Sequence, residues 1–152
     1  MRAVLQRVNS ASVEVDGKIV GEIGKGFVVF LGVGKGDEEK DTDYLVRKIC
    51  GLRIFEDENE KMNLAPKDVG AQMLVISNFT LYASTVHGFR PDFLASMPYV
   101  EAKAYVEDFI GKCKQNGSFT KIASGVFGAD MKVDVSVDGP INIIFDTKEI
   151  EK

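Results

Sequence analysis

Small polar side chains follow a wholly apolar run near the middle of the chain, where they are well placed to do chemistry. The run covers residues 73–76, and Ser77, Asn78, Phe79 and Thr80 come directly after it. An uninterrupted apolar run of this length is typical of a strand buried on both faces. Two hydroxyls, an amide and an aromatic ring at its end predict the wall of a pocket. The same pattern also fits a strand cap that opens a loop.

A hydroxyl nucleophile needs a base, and the chain has a single histidine, His87, in a predicted loop over residues 82–93. One open alternative is therefore a small-molecule esterase in which Thr80 or Ser77 works with His87. Another is a non-catalytic module that binds an amino acid or a nucleotide, and a third is a purely structural dimer. The two cysteines, at positions 50 and 113, lack metal-ligand spacing with the histidine, so no metal site is expected.

Composition narrows the class of protein. The chain has 152 residues, which fits a single domain over residues 1–152, with 45% hydrophobic and 28% charged residues. A formal net charge of −4 argues against a large basic face that grips nucleic acid, although not against contact with one end of it. No signal peptide or membrane span is evident, so we expect a cytoplasmic protein with reduced core thiols, no membrane partner and no cofactor.

The elements that must position the polar cluster follow from periodicity. Asp16-Gly17 between alternating runs predicts a hairpin, and residues 27–33 predict a second central strand. Residues 52–55 predict a short strand. One helix is expected from an N-cap at Asp37 to about Cys50, and another from Pro98 to residue 116. Residues 131–137 and 141–145 predict two strands that Asp138-Gly139-Pro140 separates.

The order of these elements predicts an α/β fold. We expect a layered, mixed β-sheet that curls into a barrel-like core, with two main helices on one side. Neither an internal repeat nor a linker interrupts the chain.

Two short motifs connect the chain to a known family. Residues 77–81 read Ser-Asn-Phe-Thr-Leu, which resembles the Ser-Gln-Phe-Thr-Leu signature of D-aminoacyl-tRNA deacylases. Residues 138–141 read Asp-Gly-Pro-Ile and resemble the second signature of that family, Asn-x-Gly-Pro followed by an aliphatic residue. Further segments, including residues 90–93 and 127–131, fall in the family's order, so the resemblance covers the whole chain.

The resemblance implies a deacylase-type fold and a homodimeric, tRNA-binding hydrolase that proofreads chirality in translation. Its substrate would be the ester between a D-amino acid, or glycine, and the 3′-terminal adenosine of tRNA. Gly139-Pro140 would be a cis dipeptide donated into the pocket of the other subunit, and Arg7 would fix its orientation. Three residues depart from the family pattern: Asn78 replaces Gln, Val137 replaces Asn and Asn142 replaces Thr.

Chemistry of this kind needs little from side chains, because an aminoacyl ester is already reactive. Backbone N–H groups of Phe79 and Thr80 could stabilise the oxyanion. We therefore favour a mechanism without a side-chain nucleophile, in which, as the resemblance implies, the 2′-hydroxyl of the tRNA takes part. Carbonyls of Gly139 and Pro140 would hold the α-ammonium group and exclude L side chains. Phe127 could stack on the terminal adenine.

Overall fold

The computed structural model describes residues 1–149 and has a curled β-sheet with helices packed on one side. The strands are β1 (Arg2–Val15), β2 (Lys18–Ile23), β3 (Gly26–Gly32), β4 (Phe55–Glu56), β5 (Met62–Leu64), β6 (Gln72–Ser77), β7 (Lys121–Ser124) and β8 (Lys132–Asp146). The α-helices are α1 (Glu39–Cys50), α2 (Pro66–Val69) and α3 (Tyr99–Asn116), and 3₁₀ turns cover Phe79–Tyr82 and Thr147–Glu149.

The main sheet is organised around β1. Its first half pairs with β3, its second half pairs with β2, and β8 runs antiparallel along both halves. β6 lies parallel to both β3 and β7. Because β2 folds back towards β7, a Cβ added to Gly21 would lie 3.0 Å from the Ser124 carbonyl oxygen. The predicted mixed sheet with a barrel-like core is therefore confirmed.

Two apolar clusters fill the two sides of this sheet. The larger cluster joins α1 and α3 to the sheet, through buried side chains that include Leu45, Phe109, Phe27 and Met73. The smaller cluster fills the curled part and includes Val13, Val28 and Leu74. The predicted placement of both main helices on one side is confirmed. Cys50 and Cys113 are free, buried and in contact between these helices.

Local punctuation of the chain agrees with the sequence-based expectations. Asp16 and Gly17 form the β1–β2 turn with φ values of 50° and 78°. This left-handed pair is the geometry that Asp-Gly favours in a two-residue hairpin. Pro98 precedes α3, and Gly117 ends it with a φ of 76°.

The predicted start of the first helix is wrong, because Asp37 has a different partner. The helix begins at Glu39 with Glu38 as its N-cap. Asp37 is buried, its Oδ1 lies 2.8 Å from the Met1 amine, and its Oδ2 accepts a hydrogen bond from Gly34 N at 2.6 Å. A buried carboxylate requires such partners, and only the tertiary fold supplies them.

Strand boundaries also differ from the predictions in two regions. The short strand expected at residues 52–55 is confined to Phe55–Glu56, where it pairs with β5. The predicted break at residues 138–140 is a local irregularity, since β8 continues through it. β1 is one strand of 14 residues and offers β8 a partner on both sides of the irregularity. A long partner strand thus overrides a local turn signal.

Across residues 1–149, no helix is both long and apolar enough to cross a membrane.

Two glycines allow a matched test of the packing between β3 and β6. A Cβ on Gly26 would lie 1.8 Å from the Gln72 carbonyl oxygen, which is backbone and cannot rotate away. We expect Gly26→Ala to lower the free energy of unfolding by about 1–3 kcal/mol or more. Urea denaturation would measure the change.

The control for this test is Gly111→Ala in α3, where a Cβ would meet no atom within 4 Å. Alanine at such a helical site is expected to stabilise the protein by about 0.5–1 kcal/mol. A Gly26→Ala variant as stable as the parent would contradict the close approach of the two strands.

Candidate active site

A cleft of about 770 Å³ opens where β6 leaves the sheet. Residues 77–80 and residues 127–131 both line it. The predicted catalytic residues Ser77, Phe79 and Thr80 therefore line one pocket, together with the predicted binding residues Asn78 and Phe127. Their catalytic and binding roles are predictions from the sequence.

Asn78 organises the turn that follows β6. Its backbone N–H donates to the Leu31 carbonyl at 2.8 Å, which ties the turn to β3. Its side-chain oxygen accepts hydrogen bonds from the Thr80 backbone N–H, at 3.2 Å, and from the Thr80 hydroxyl. Asn78 is thus the N-cap of the 3₁₀ turn, a role in which Asn and Asp are favoured.

This capping changes what the turn can offer a substrate. The Thr80 N–H already has an acceptor, and its hydroxyl donates to the same oxygen. The Phe79 N–H lies at the start of the turn, where helical geometry provides no acceptor within the turn. Of the two predicted oxyanion donors, Phe79 N–H is therefore the more available.

The histidine lies apart from the polar cluster. Backbone hydrogen bonds of 2.9 Å in both directions join Ser84 to Asp92 and close the base of the loop. Phe89, near the tip of that loop, is fully exposed. His87 does not line the cleft, and within residues 1–149 no hydrogen bond links it to Ser77 or Thr80. The arrangement lacks the nucleophile–base contact that a hydroxyl esterase requires.

The rest of the cleft is assembled by contacts that sequence reasoning missed. Met97 is held beside β3 by a hydrogen bond of 2.9 Å from its N–H to the Val33 carbonyl. The Tyr99 ring packs edge-to-face on Phe127 with centroids 4.9 Å apart, and its hydroxyl donates to the Phe127 carbonyl at 3.3 Å. These pairs join segments far apart in sequence, so no local pattern indicates them.

A buried tyrosine supports the same turn from behind. Tyr82 ends the 3₁₀ turn, and its hydroxyl donates to Asp37 at 3.4 Å. Burial raises the pKa of the Tyr82 phenol, and the nearby Asp37 carboxylate raises it further. The phenol therefore stays protonated and remains a donor.

Arg7 lies on another part of the molecule. It is 4% exposed, and its Nη1 donates to the Ile54 carbonyl at 2.7 Å. Its Nε lies 3.1 Å from the Asp138 carboxylate, which directly precedes Gly139. Arg7 thereby braces the chain beside the dipeptide, as a guanidinium that can contact several acceptors at once.

The Gly139-Pro140 peptide bond is cis, as the resemblance implies. Both residues are exposed, and neither lines the cleft of its own chain. Within a single chain, the Gly139-Pro140 dipeptide therefore lies outside the cleft that contains the predicted catalytic residues.

Comparisons with known proteins agree with the fold and the motifs. A family model described as D-Tyr-tRNA(Tyr) deacylase matches residues 4–146. A D-aminoacyl-tRNA deacylase of Clostridium tetani is 51% identical over 99% of this chain and 99% of its own length. One of Clostridium perfringens strain SM101 is 48% identical over 98% of this chain and 99% of its own.

Solved structures with the same fold complete the comparison. A structure titled c-Myc DNA Unwinding Element Binding Protein has a TM-score of 0.91 and 37% identity, covering 97% of this chain and 99% of that one. A probable eukaryotic D-amino acid tRNA deacylase, at a TM-score of 0.80 and 15% identity, shares the fold over 95% of this chain and 97% of its own. On the family match and the identity to its relatives, this chain belongs to the D-aminoacyl-tRNA deacylase family.

Proposed function

We propose that this protein hydrolyses the ester joining a D-amino acid, or glycine, to the 3′-terminal adenosine of tRNA, as a chirality proofreading step in translation. Hydrolysis of D-aminoacyl-tRNA follows from membership of the family. The observation that carries the proposal to the level of residues is the cleft at the end of β6, which contains residues 77–80 of the first signature.

The mechanism that we favour depends on backbone groups. The Phe79 N–H is positioned at the start of the 3₁₀ turn, where it can donate to a developing oxyanion. The Thr80 hydroxyl donates a hydrogen bond to the Asn78 side-chain oxygen, and His87 does not line the cleft, so it cannot act there as a base. Both observations argue against Thr80 as a nucleophile. The tRNA 2′-hydroxyl is then the group that assists attack of water on the ester.

Specificity for handedness is proposed to come from a second copy of the chain. Gly139 and Pro140 are exposed beside the buried Arg7 side chain, so they can project from the surface on a braced segment. In a homodimer, their carbonyls would enter the partner cleft and accept hydrogen bonds from the α-ammonium group. An L side chain would then collide with the dipeptide, whereas glycine has no side chain to exclude.

Contact with only the acceptor end of tRNA fits the charges. The formal net charge is −4, and no Lys or Arg is among the described residues that line the cleft. Phe127 presents an aromatic ring for the terminal adenine. Since charged tRNA is made and used where translation occurs, we place the protein in the cytoplasm.

The central prediction concerns one tRNA charged with the D or L form of the same amino acid, and with glycine. Forcing a side chain into a filled space costs about 1–3 kcal/mol. We therefore expect the D-aminoacyl-tRNA to be cleaved about 10–100-fold faster than the L-aminoacyl-tRNA. Glycyl-tRNA should be cleaved as well. Release of free amino acid measures all three rates, and equal rates for the D and L forms would contradict selection by a clash.

The role of Thr80 can be tested by removing its hydroxyl. With no side-chain nucleophile, Thr80→Ala should lower kcat by well under the roughly thousandfold or more that loss of a nucleophile causes. Thr80→Ser retains the hydroxyl and serves as the matched control in the same single-turnover assay. A loss of about a thousandfold in Thr80→Ala alone would identify Thr80 as the nucleophile.

The shared site can be tested by complementation. Gly139 has a φ of 123°, and a Cβ there would lie 2.8 Å from Ile141 Cγ1, so Gly139→Ala should displace the dipeptide. Thr80 is exposed, and Thr80→Trp should fill the cleft without disturbing the core. Each variant alone is expected to be inactive.

Subunit exchange between these two variants should restore about a quarter of the parental activity, because half of the dimers then hold one intact site. Circular dichroism is used to check that each variant is folded. If the folded variants never complement each other, the dipeptide does not act across subunits.

A further inference from the structure

One acidic side chain, Asp130, lies in the described lining of the cleft. Among the described residues that line it, Asp130 is the only acidic or basic one, and the other lining side chains are apolar or neutral. A single negative charge in an uncharged cleft sets the sign of the ligand group that it can attract.

Asp130 is held between two anchors. On one side, Phe127 packs on Tyr99 with ring centroids 4.9 Å apart, and its carbonyl accepts the Tyr99 hydroxyl at 3.3 Å. On the other side, Met131 packs against the smaller apolar cluster, and a Cβ on Gly125 would lie 2.4 Å from Met131 Sδ. Packing of Phe127 and Met131 therefore fixes the position of Asp130 in the cleft wall.

The Asp130 carboxylate is available to a ligand. Within residues 1–149, it has no hydrogen bond or ion pair to another side chain, unlike Asp37, Asp41 and Asp146. An exposed carboxylate that satisfies no partner in its own chain has no evident structural role.

The proposed substrate carries a matching charge close to its reactive bond, since the α-ammonium group is one carbon from the ester carbonyl. We propose that the Asp130 carboxylate is the counter-ion for this ammonium group. The assignment rests on the proposed function and adds to the role of the partner's dipeptide. Carbonyl oxygens direct the ammonium by hydrogen bonds, whereas the carboxylate supplies the net charge that they lack.

The size of the effect follows from solvent exposure. Two unit charges a few ångströms apart at a solvated surface attract each other enough to change binding by roughly three- to tenfold. Asp130 also repels tRNA phosphates, so its removal has two opposing effects on a charged tRNA. A useful test must therefore vary the ammonium group while the tRNA stays the same.

The experiment compares a D-aminoacyl-tRNA with the same tRNA carrying the corresponding acyl group without its amine. Both are given to the purified protein, as the parent and as Asp130→Asn. We expect Asp130→Asn to lower kcat/KM by about three- to tenfold for the substrate with the ammonium group, and to change it less than about twofold for the des-amino substrate. Asp134→Asn is the matched control, because Asp134 is exposed on β8 and does not line the cleft.

A second measurement does not depend on turnover, so it still applies when the des-amino substrate is cleaved too slowly to follow. Stable amides of the same two acyl groups on 3′-amino-3′-deoxyadenosine are used as competitive inhibitors. Only the inhibition constant of the amine-bearing compound should rise in Asp130→Asn, by the same factor.

Other outcomes overturn the assignment. Equal losses for both substrates, or no loss for either, would show that Asp130 does not recognise the ammonium group. Neither outcome would contradict the proposed deacylase function. A parent protein that cleaves no D-aminoacyl-tRNA would instead overturn the proposed function, and this assignment with it.

Discussion

The parallel pairing of β3 with β6 is the constraint on which the rest of the structure depends. Both strands are buried on both faces, with Val28 and Leu74 in one cluster and Phe27 and Met73 in the other. A polar side chain inside either strand would be desolvated without a partner. Polar groups can therefore first occur where β6 emerges, and the cleft lies at that point.

Much of this arrangement could be predicted from local patterns, because burial on both faces leaves an uninterrupted apolar run and a hairpin leaves Asp16-Gly17. What could not be predicted depends on distant partners. Asp37 looks like a helix cap until the Met1 amine is brought 2.8 Å from it. Tyr99 lines the cleft together with Phe127, which comes after α3 in the chain and packs on the Tyr99 ring. Contacts of this kind carry no periodicity.

The departures at the two signatures have different structural settings. The Asn78 side-chain oxygen accepts hydrogen bonds from the Thr80 N–H and the Thr80 hydroxyl, so the oxygen of the shorter amide is engaged within its own turn. Val137 and Asn142 flank the dipeptide on β8, where both are exposed and pair with Val8 and Gln6 of β1. The ladder alone holds these two positions, while Arg7 supports the segment between them through Asp138. Bracing of the dipeptide in this chain is therefore concentrated in one buried cation.

β1 has a consequence for how the molecule denatures. Ala3 and Leu5 belong to the cluster under the helices, whereas Val8 and Val13 belong to the cluster in the curled part of the sheet. Because β1 contributes side chains to both clusters, unfolding of one cluster displaces the strand and thereby disrupts the other cluster. Heating should therefore produce one cooperative transition, in which calorimetric and van't Hoff enthalpies agree.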